Sequence, residues 1–335
     1  MSKTSMTLQE LLKATSRSFY LTLRMFPGGI RAQCGLAYLL ARTTDTIADT
    51  EIVPSEQRLE ALHFLRERIA EIHRKPVDFG SLAKQQGKPA ERMLLERCEE
   101  SLAVLDRFNS ADQKRIRDVL EIIISGQELD LRRFAGASAE RIVALQTEAE
   151  LDDYTYRVAG CVGEFLTKMF RTYEFPRVAL DDGKFLTDGV RFGKGLQLVN
   201  ILRDLPADLR QGRCYLPAGE LAAAGLRPEE LLEPGNMGKL RPVYERHLAM
   251  AEEHLRAGWV YTNTLPVRCV RLRLACAWPA LIGIKTLGKL RGANVLDAGQ
   301  RVKISRPEVR NVIVRTVLYY AWQPGWRRLF RSSGG

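Results

Sequence analysis

Long apolar runs are missing from this chain. No uninterrupted stretch approaches the roughly 20 apolar residues that a helix needs to cross a bilayer, which excludes a simple membrane-spanning segment but not a protein lying on a membrane. Histidine is scarce, at four residues. His247 and His254 sit seven apart beside Glu252 and Glu253 with no second histidine-bearing helix to complete a zinc site, so they are expected on an exposed helix face. The six cysteines, Cys34, Cys98, Cys161, Cys214, Cys269 and Cys276, are scattered and form no CxxC. Reduced thiols are expected rather than a disulfide framework or a metal knuckle. No GxGxxG follows a strand, so there is no dinucleotide-binding fingerprint. Strand alternation is nearly absent, no internal repeat is found beyond two acidic pairs, and no low-complexity tract or nucleic-acid recognition motif is seen. The opening residues lack the apolar core and cleavage site of a secretory signal, and a cytoplasmic location is expected.

What is present is a chain of 335 residues, 45% apolar, with a net charge of +11. That length buries a sizeable core in one large domain or two smaller ones. The positive balance points to an anionic partner: nucleic acid, an acidic membrane surface or a phosphorylated substrate. Helix signals dominate. Thr7-Leu8-Gln9-Glu10 is a capping-box pattern ahead of a periodic run to about residue 23, which Pro27-Gly28-Gly29 ends. Further helices are predicted over 31–50, 55–73, 91–107, 111–134, 148–173, 181–205, 242–262, 269–291 and 307–321, with a loop over 75–89. The pattern predicts a single all-α domain over 1–335, a helical bundle whose facing helices line a central polar site.

Two acidic pairs share one spacing: Asp45 and Asp49 in DTIAD, and Asp204 and Asp208 in DLPAD. Residues four apart lie on one helix face, where two carboxylates repel unless a cation sits between them. At about 100° per residue, Tyr38, Arg42, Asp45 and Asp49 fall within one narrow stripe, and Gln197, Asn200, Asp204 and Asp208 make another. Both stripes run through otherwise apolar sequence, CGLAYLLA and GLQLVNIL. A polar stripe in such a setting is costly unless it binds something. Magnesium takes oxygen ligands, typically one or two carboxylates plus phosphate oxygens, so a metal-bridged diphosphate fits the two pairs. Arginines complete such a site because the guanidinium fork stays charged and grips phosphate; Arg17, Arg42, Arg203 and Arg213 lie near the key segments. Pro206, inside the second pair, is expected to kink its helix and makes Asp208 the least secure of the four.

Taken with Ser16-Arg17-Ser18-Phe19, the segment YTYRVAGCVG from Tyr154 to Gly163 and the segment from Gln197 to Pro217, these stripes make the chain resemble the squalene and phytoene synthase family over about residues 16–310. The resemblance implies an isoprenoid-synthase helical bundle that joins two prenyl diphosphates head to head. Residues 276–303 look more like the squalene synthases within that family. This implies that two farnesyl diphosphates condense to presqualene diphosphate, which NADPH then reduces to squalene. Carried over by motif, Asp45, Asp49, Asp204 and Asp208 would bind Mg²⁺ and diphosphate; Arg17, Arg42, Arg203 and Arg213 would hold diphosphate; and Ser16, Phe19, Tyr38, Gln197 and Asn200 would line the site. Many squalene synthases carry a tyrosine just before VAG, where this chain has Arg157, so that role is assigned to Tyr154 or Tyr156, with Tyr154 and Arg157 as the catalytic candidates. Lys303 and Arg306, in a basic cluster with Lys285, Lys289 and Arg291, are the candidates to meet NADPH.

Alternatives in the same class are a presqualene diphosphate synthase and a dehydrosqualene or phytoene synthase working without reduction. From another class comes a non-catalytic helical assembly factor, against which the four aspartates argue. Residues 311–335 mix Tyr319, Tyr320, Trp322 and Trp326 with Arg315, Arg327 and Arg328 around apolar positions. They read either as an interfacial membrane segment or as a final core helix with a basic tail. A monomer, peripheral on the inner face of a membrane, is expected.

Overall fold

A computed structural model describes residues 7–16, 19–297 and 299–334, apart from the side chains of Phe19, Leu21 and Gly334. The chain is helical nearly throughout, as its periodicity predicts. The described residues form two compact units, one within Met1–Arg132 and Thr172–Glu174, the other within Arg133–Arg171 and Phe175–Gly335.

In the first unit the Thr7 hydroxyl accepts from the Glu10 amide while the Glu10 carboxylate accepts from the Thr7 amide, and this capping box starts α1 (Leu8–Thr15). After α2 (Phe19–Met25), α3 (Gly28–Asp49) begins directly behind Pro27, three residues before the expected start. Then come α4 (Ser55–Ile69), α5 (Gly80–Gln85), α6 (Pro89–Glu96), α7 (Cys98–Leu105) and α8 (Ser110–Arg133). Two expectations change here: α5 forms inside the stretch read as loop, and the helix predicted over 91–107 breaks at Arg97. Pro89 sits at the first turn of α6, where its missing N–H is one that no helix bond would use. At the centre is α3, packed on α4, α6 and α7. Leu36, Leu40, Thr43 and Ile47 are buried along one face of α3, and Leu39 joins Leu11 and Leu94 in an apolar cluster. Tyr38, Arg42, Asp45 and Asp49 are left on the less buried side.

The second unit holds β1 (Val143–Ala144), α9 (Glu148–Thr155), a π-helical turn at Tyr156–Gly160, α10 (Cys161–Tyr173), α11 (Asp182–Arg210) and β2 (Arg213–Cys214), followed by α12 (Ala218–Ala223), α13 (Met237–Thr264), α14 (Val270–Arg291), α15 (Arg306–Leu318) and α16 (Gln323–Arg328). Its core is α11 packed against α13 and α14. The π turn and the start of α10 meet α11 backbone to backbone: a Cβ on Gly193 would lie 2.2 Å from the Ala159 carbonyl oxygen, and one on Gly163 would lie 2.0 Å from that of Gly189. Glycine is required at both places by close approach rather than by backbone conformation. The parallel pair β1–β2 sets Val143 opposite Arg213.

Pro206 does not end α11, which runs to Arg210, five residues beyond the expected limit. A proline at this position leaves the carbonyl four residues earlier, on Leu202, without its helical donor. The buried Tyr244 hydroxyl of α13 donates to that oxygen at 2.9 Å and fills the gap.

His247 corrects the expected exposed face. It is fully buried, its Nδ1 2.9 Å from the Val243 carbonyl, and burial pushes its pKa down. The C-terminal aromatics divide: Trp326 stacks on Trp259 and is fully buried, whereas Trp322 is exposed. Among the described residues no helix is long and apolar enough to cross a membrane.

Candidate active site

Both acidic pairs occupy the last turns of long helices, Asp45 and Asp49 at the end of α3, Asp204 and Asp208 at the end of α11. The carbonyl end of a helix carries the negative pole of its dipole, so carboxylates there are disfavoured and cations favoured. The last turn of α3 contains no basic residue to offset this. Placing two carboxylates at such a terminus builds a site that attracts positive charge.

In the first unit Arg42 is fixed from two sides. Its Nη2 donates to Glu91 Oε1 of α6 at 2.7 Å, and its Nη1 lies 3.5 Å from Asp45 Oδ2. Burial opposes the guanidinium charge, but Asp45 and Glu91 together hold its pKa above the ordinary value. Asp45 Oδ1 accepts from Gln127 Nε2 of α8 at 2.5 Å. The Asp45 side chain keeps 45% of its surface accessible, so it walls an open site and is not core. Its surroundings and the neighbouring Asp49 charge nonetheless push its pKa up to about 6, against the opposing pull of Arg42 and Gln127. The rest of the α3 terminus is braced: Arg58 Nη1 donates to the Ala48 carbonyl and Gln86 Nε2 to Thr50 Oγ1.

Ser16 is buried and donates its hydroxyl to the Leu12 carbonyl, closing α1. Arg17 lies outside the described residues, and Phe19 is described only as the first residue of α2. Tyr38 is half-buried on the same stripe as Arg42.

In the second unit Arg203 and Asp204 form a fork, Nε to Oδ1 at 2.9 Å and Nη2 to Oδ2, and this bonding holds the Arg203 pKa above its ordinary value. Asp208 is half-buried one turn on, close enough for its charge to act on Arg203. Asn200 Nδ2 donates to Gln197 Oε1 at 3.4 Å, and Asn200 is exposed. Arg213 has its backbone fixed in β2. Tyr154 stacks on Tyr215 with ring centroids 4.6 Å apart and hydroxyls at 3.4 Å. The Tyr156 hydroxyl donates to Glu164 Oε2 at 3.0 Å, and burial together with that carboxylate pushes its pKa up to about 12. Arg157 Nε is paired to both Asp153 carboxylate oxygens at 2.9 Å.

Gln127 and Glu91, which hold Asp45 and Arg42, were not legible as site residues, and neither was Tyr215 as the stacking partner of Tyr154. The π turn at Tyr156–Gly160 was also missed. Such bulges recur at functional sites because they shift the facing of the residues that follow, and this one lies in the motif that carries Arg157.

The basic cluster near the C-terminus is largely an ion-pair network. Glu308 draws Lys289 at 2.8 Å and Lys285 at 3.8 Å, and the bonds from Lys289 and Ser305 hold its pKa down to about 2. Arg291 pairs with Glu252 at 2.5 Å. Lys303 and Arg306 are exposed beside this network.

Among the described residues no three histidine, cysteine or acidic side chains converge into a ready-made metal cage. Magnesium does not require one, since it keeps waters and takes much of its coordination from substrate phosphates. Two adjacent carboxylates at a helix C-terminus, one with a pKa raised in part by the other, suit that mode of binding.

The sequence profile of the family described as squalene/phytoene synthase matches residues 12–308. A presqualene diphosphate synthase of Rhodopseudomonas palustris is 30% identical over 262 residues, covering 77% of this chain and 78% of that protein. A bifunctional lycopene cyclase/phytoene synthase of Phaeosphaeria nodorum is 27% identical over 325 residues; the match takes in 96% of this chain but spans only half of the fungal protein. Among solved structures, TcSQS in complex with the ligand BPH1237 superposes with a TM-score of 0.78 at 22% identity, over 97% of this chain and 89% of that one, a likeness of fold.

Proposed function

The chain belongs to the squalene/phytoene synthase family, a family of prenyltransferase-type enzymes, and on that premise we propose that it joins two farnesyl diphosphates head to head and carries the resulting presqualene diphosphate on to squalene with NADPH. The observation that carries the reading is the pair of DxxxD carboxylate sets at the negative ends of α3 and α11, each with an arginine beside it. The reading uses both sets, one in each compact unit, in a monomer.

Asp45, Asp49, Asp204 and Asp208 are the residues that would hold Mg²⁺, which when bound supplies positive charge to a departing diphosphate. Arg42, kept ionised by Glu91 and Asp45, donates to diphosphate oxygens, and its planar fork suits them better than a lysine would. Arg203, which is paired with Asp204, would donate to diphosphate oxygens in the same way, and Arg213 and Arg17 would complete the set. Loss of diphosphate from one farnesyl chain leaves an allylic cation, which bonds to the second chain as a proton departs. The stacked faces of Tyr154 and Tyr215 offer that cation π-electron density without a nucleophile that would trap it. Ser16 and Tyr38 would flank the first carboxylate pair and Gln197 and Asn200 the second, and Arg157, held by Asp153, would orient the π turn beside Tyr154. NADPH, with its 2′-phosphate met by Lys303 and Arg306, would supply the hydride that the second half of the reaction consumes.

A second reading, release of presqualene diphosphate, is favoured by the occupation of Lys285 and Lys289 by Glu308, which takes two of the five basic residues of that cluster away from a nucleotide phosphate. One experiment separates the two. Purified protein is incubated with farnesyl diphosphate and Mg²⁺, with and without NADPH, and products are identified. Squalene formed only with NADPH is expected. Presqualene diphosphate accumulating in both supports the second reading, and dehydrosqualene in both overturns the reductive step. Asp45→Asn and Asp204→Asn are each expected to lower diphosphate release at least about 100-fold, the scale of losing a transition-state charge stabiliser; near-normal turnover at saturating Mg²⁺ would sink the metal role.

A further inference from the structure

Seven of the eleven large apolar side chains that the described residues leave exposed fall in two short stretches, 260–270 and 314–322. The first is the corner between α13 and α14, with Val267 and Val270 outward. The second is the end of α15 and its turn into α16, where Val314, Val317 and Leu318 share one helix face and Trp322 follows. Leu318 is 70% exposed and Trp322 52%. The two stretches are tied into one surface: the Tyr320 hydroxyl donates to the Val267 carbonyl at 2.6 Å, and the buried Arg273 guanidinium lies over the Tyr320 and Trp326 rings at 5.4 and 5.1 Å. The exposed apolar groups are therefore held outward by a rigid base, not by fraying of a loose tail.

Charge is gathered at the same end of the sequence. Residues 254–335 contain fifteen lysines and arginines against only Asp297 and Glu308, a net +13, whereas the whole chain carries +11. No acidic residue occurs between Glu253 and Asp297 or after Glu308, so neither apolar stretch has a carboxylate within it. Arg268, Arg271, Arg327 and Arg328 are exposed in or next to the two stretches.

We propose that the surface made by the α13–α14 corner and the α15–α16 corner docks on an anionic phospholipid bilayer, with Val267, Val317, Leu318 and Trp322 entering the interface and the surrounding arginines meeting lipid phosphates. Branched apolar side chains and a tryptophan ringed by arginine suit the boundary between acyl chains and headgroups. A nucleic acid would not reward burial of valine and leucine. A second copy of this chain would bring arginine against arginine across a two-fold axis. The proposal stands on this surface alone, whatever reaction the protein catalyses.

The test is sedimentation of the full chain with vesicles of phosphatidylcholine alone and of phosphatidylcholine mixed with phosphatidylglycerol. The expected result is binding to the anionic vesicles only, weakened by added salt. Two double variants, Leu318→Ser with Trp322→Ser and Arg327→Glu with Arg328→Glu, are each expected to weaken that binding at least about tenfold, as loss of interfacial apolar area or of lipid-facing charge dictates. Thermal melting and turnover of detergent-free farnesyl diphosphate should match the parent, because these side chains are exposed and outside the proposed active site. Unaltered vesicle binding by both variants overturns the proposal. So does a concentration-dependent dimer that the Leu318/Trp322 variant abolishes while vesicles fail to bind the parent.

Discussion

Asp45 is where several forces meet on one side chain. Its carboxyl, ordinarily near 3.8, is pushed up to about 6 by the poorly solvating protein surroundings and by the Asp49 charge, although the side chain stays partly open to solvent. The folded state therefore holds a proton that the unfolded chain gives up at lower pH, so in metal-free protein this group favours the fold most below about pH 4, and the contribution is lost as pH rises through 6. Metal binding reverses the preference, since only the ionised carboxylate ligates. Calorimetric titration with Mg²⁺ and inorganic pyrophosphate is thus expected to show affinity falling as pH drops below about 6, with proton release on binding near that pH and little at pH 8. Gln127→Leu removes the donor to Oδ1 and should move this acid limb upward while the melting temperature at pH 5 changes little; an unmoved limb would show that the Gln127 bond does not tune Asp45.

At the scale of elements, the end of α11 depends on an exchange of hydrogen bonds. Pro206 withholds a donor from the Leu202 carbonyl, and Tyr244 from α13 replaces it. Tyr244→Phe orphans a buried carbonyl and is expected to cost about 1–3 kcal/mol, read from denaturant unfolding. Pro206→Ala restores an N–H four residues after Leu202, so adding it to Tyr244→Phe should recover most of the loss. Additive behaviour of the two substitutions would refute the exchange. The arrangement also explains why a proline is tolerated between Asp204 and Asp208: the helix continues, and the two carboxylates stay one turn apart at its C-terminal end. At Gly163 and Gly193 the same economy of space operates without hydrogen bonds, through helices touching backbone to backbone.

For the whole molecule, the proposed reaction makes a measurable demand. Asp45 belongs to the first compact unit and Asp204 to the second, and a diphosphate-metal complex stabilises whichever unit supplies its ligands. Mg²⁺ with pyrophosphate at about 100-fold over its dissociation constant should add about 2.7 kcal/mol of stability, seen as a rise in melting temperature. Mg²⁺ alone should add less. Loss of the gain in Asp45→Asn would assign ligand to the first unit and loss in Asp204→Asn to the second, and a gain that survives both would refute the carboxylates as its ligands.

The helical class, the two acidic pairs and the polar stripes around them were readable from the sequence because helix periodicity is local: residues three and four apart share a face whatever surrounds them. Family membership followed from the same segments. Helix limits were less secure, as α5, the break at Arg97 and the continuation past Pro206 depend on neighbours and not on propensity. The partners that decide how the site behaves were set only by tertiary structure. Gln127 reaches Asp45 from 82 positions away, Glu91 reaches Arg42 from 49, and Tyr244 reaches Leu202 from 42. Likewise, His247 is core although its spacing predicts an exposed face, and Trp326 is buried while Trp322 faces outward, a choice that the sequence left open. Spacing along one helix fixes which side chains stand together; which donor is brought to them, and which face is left bare, depends on how distant helices pack.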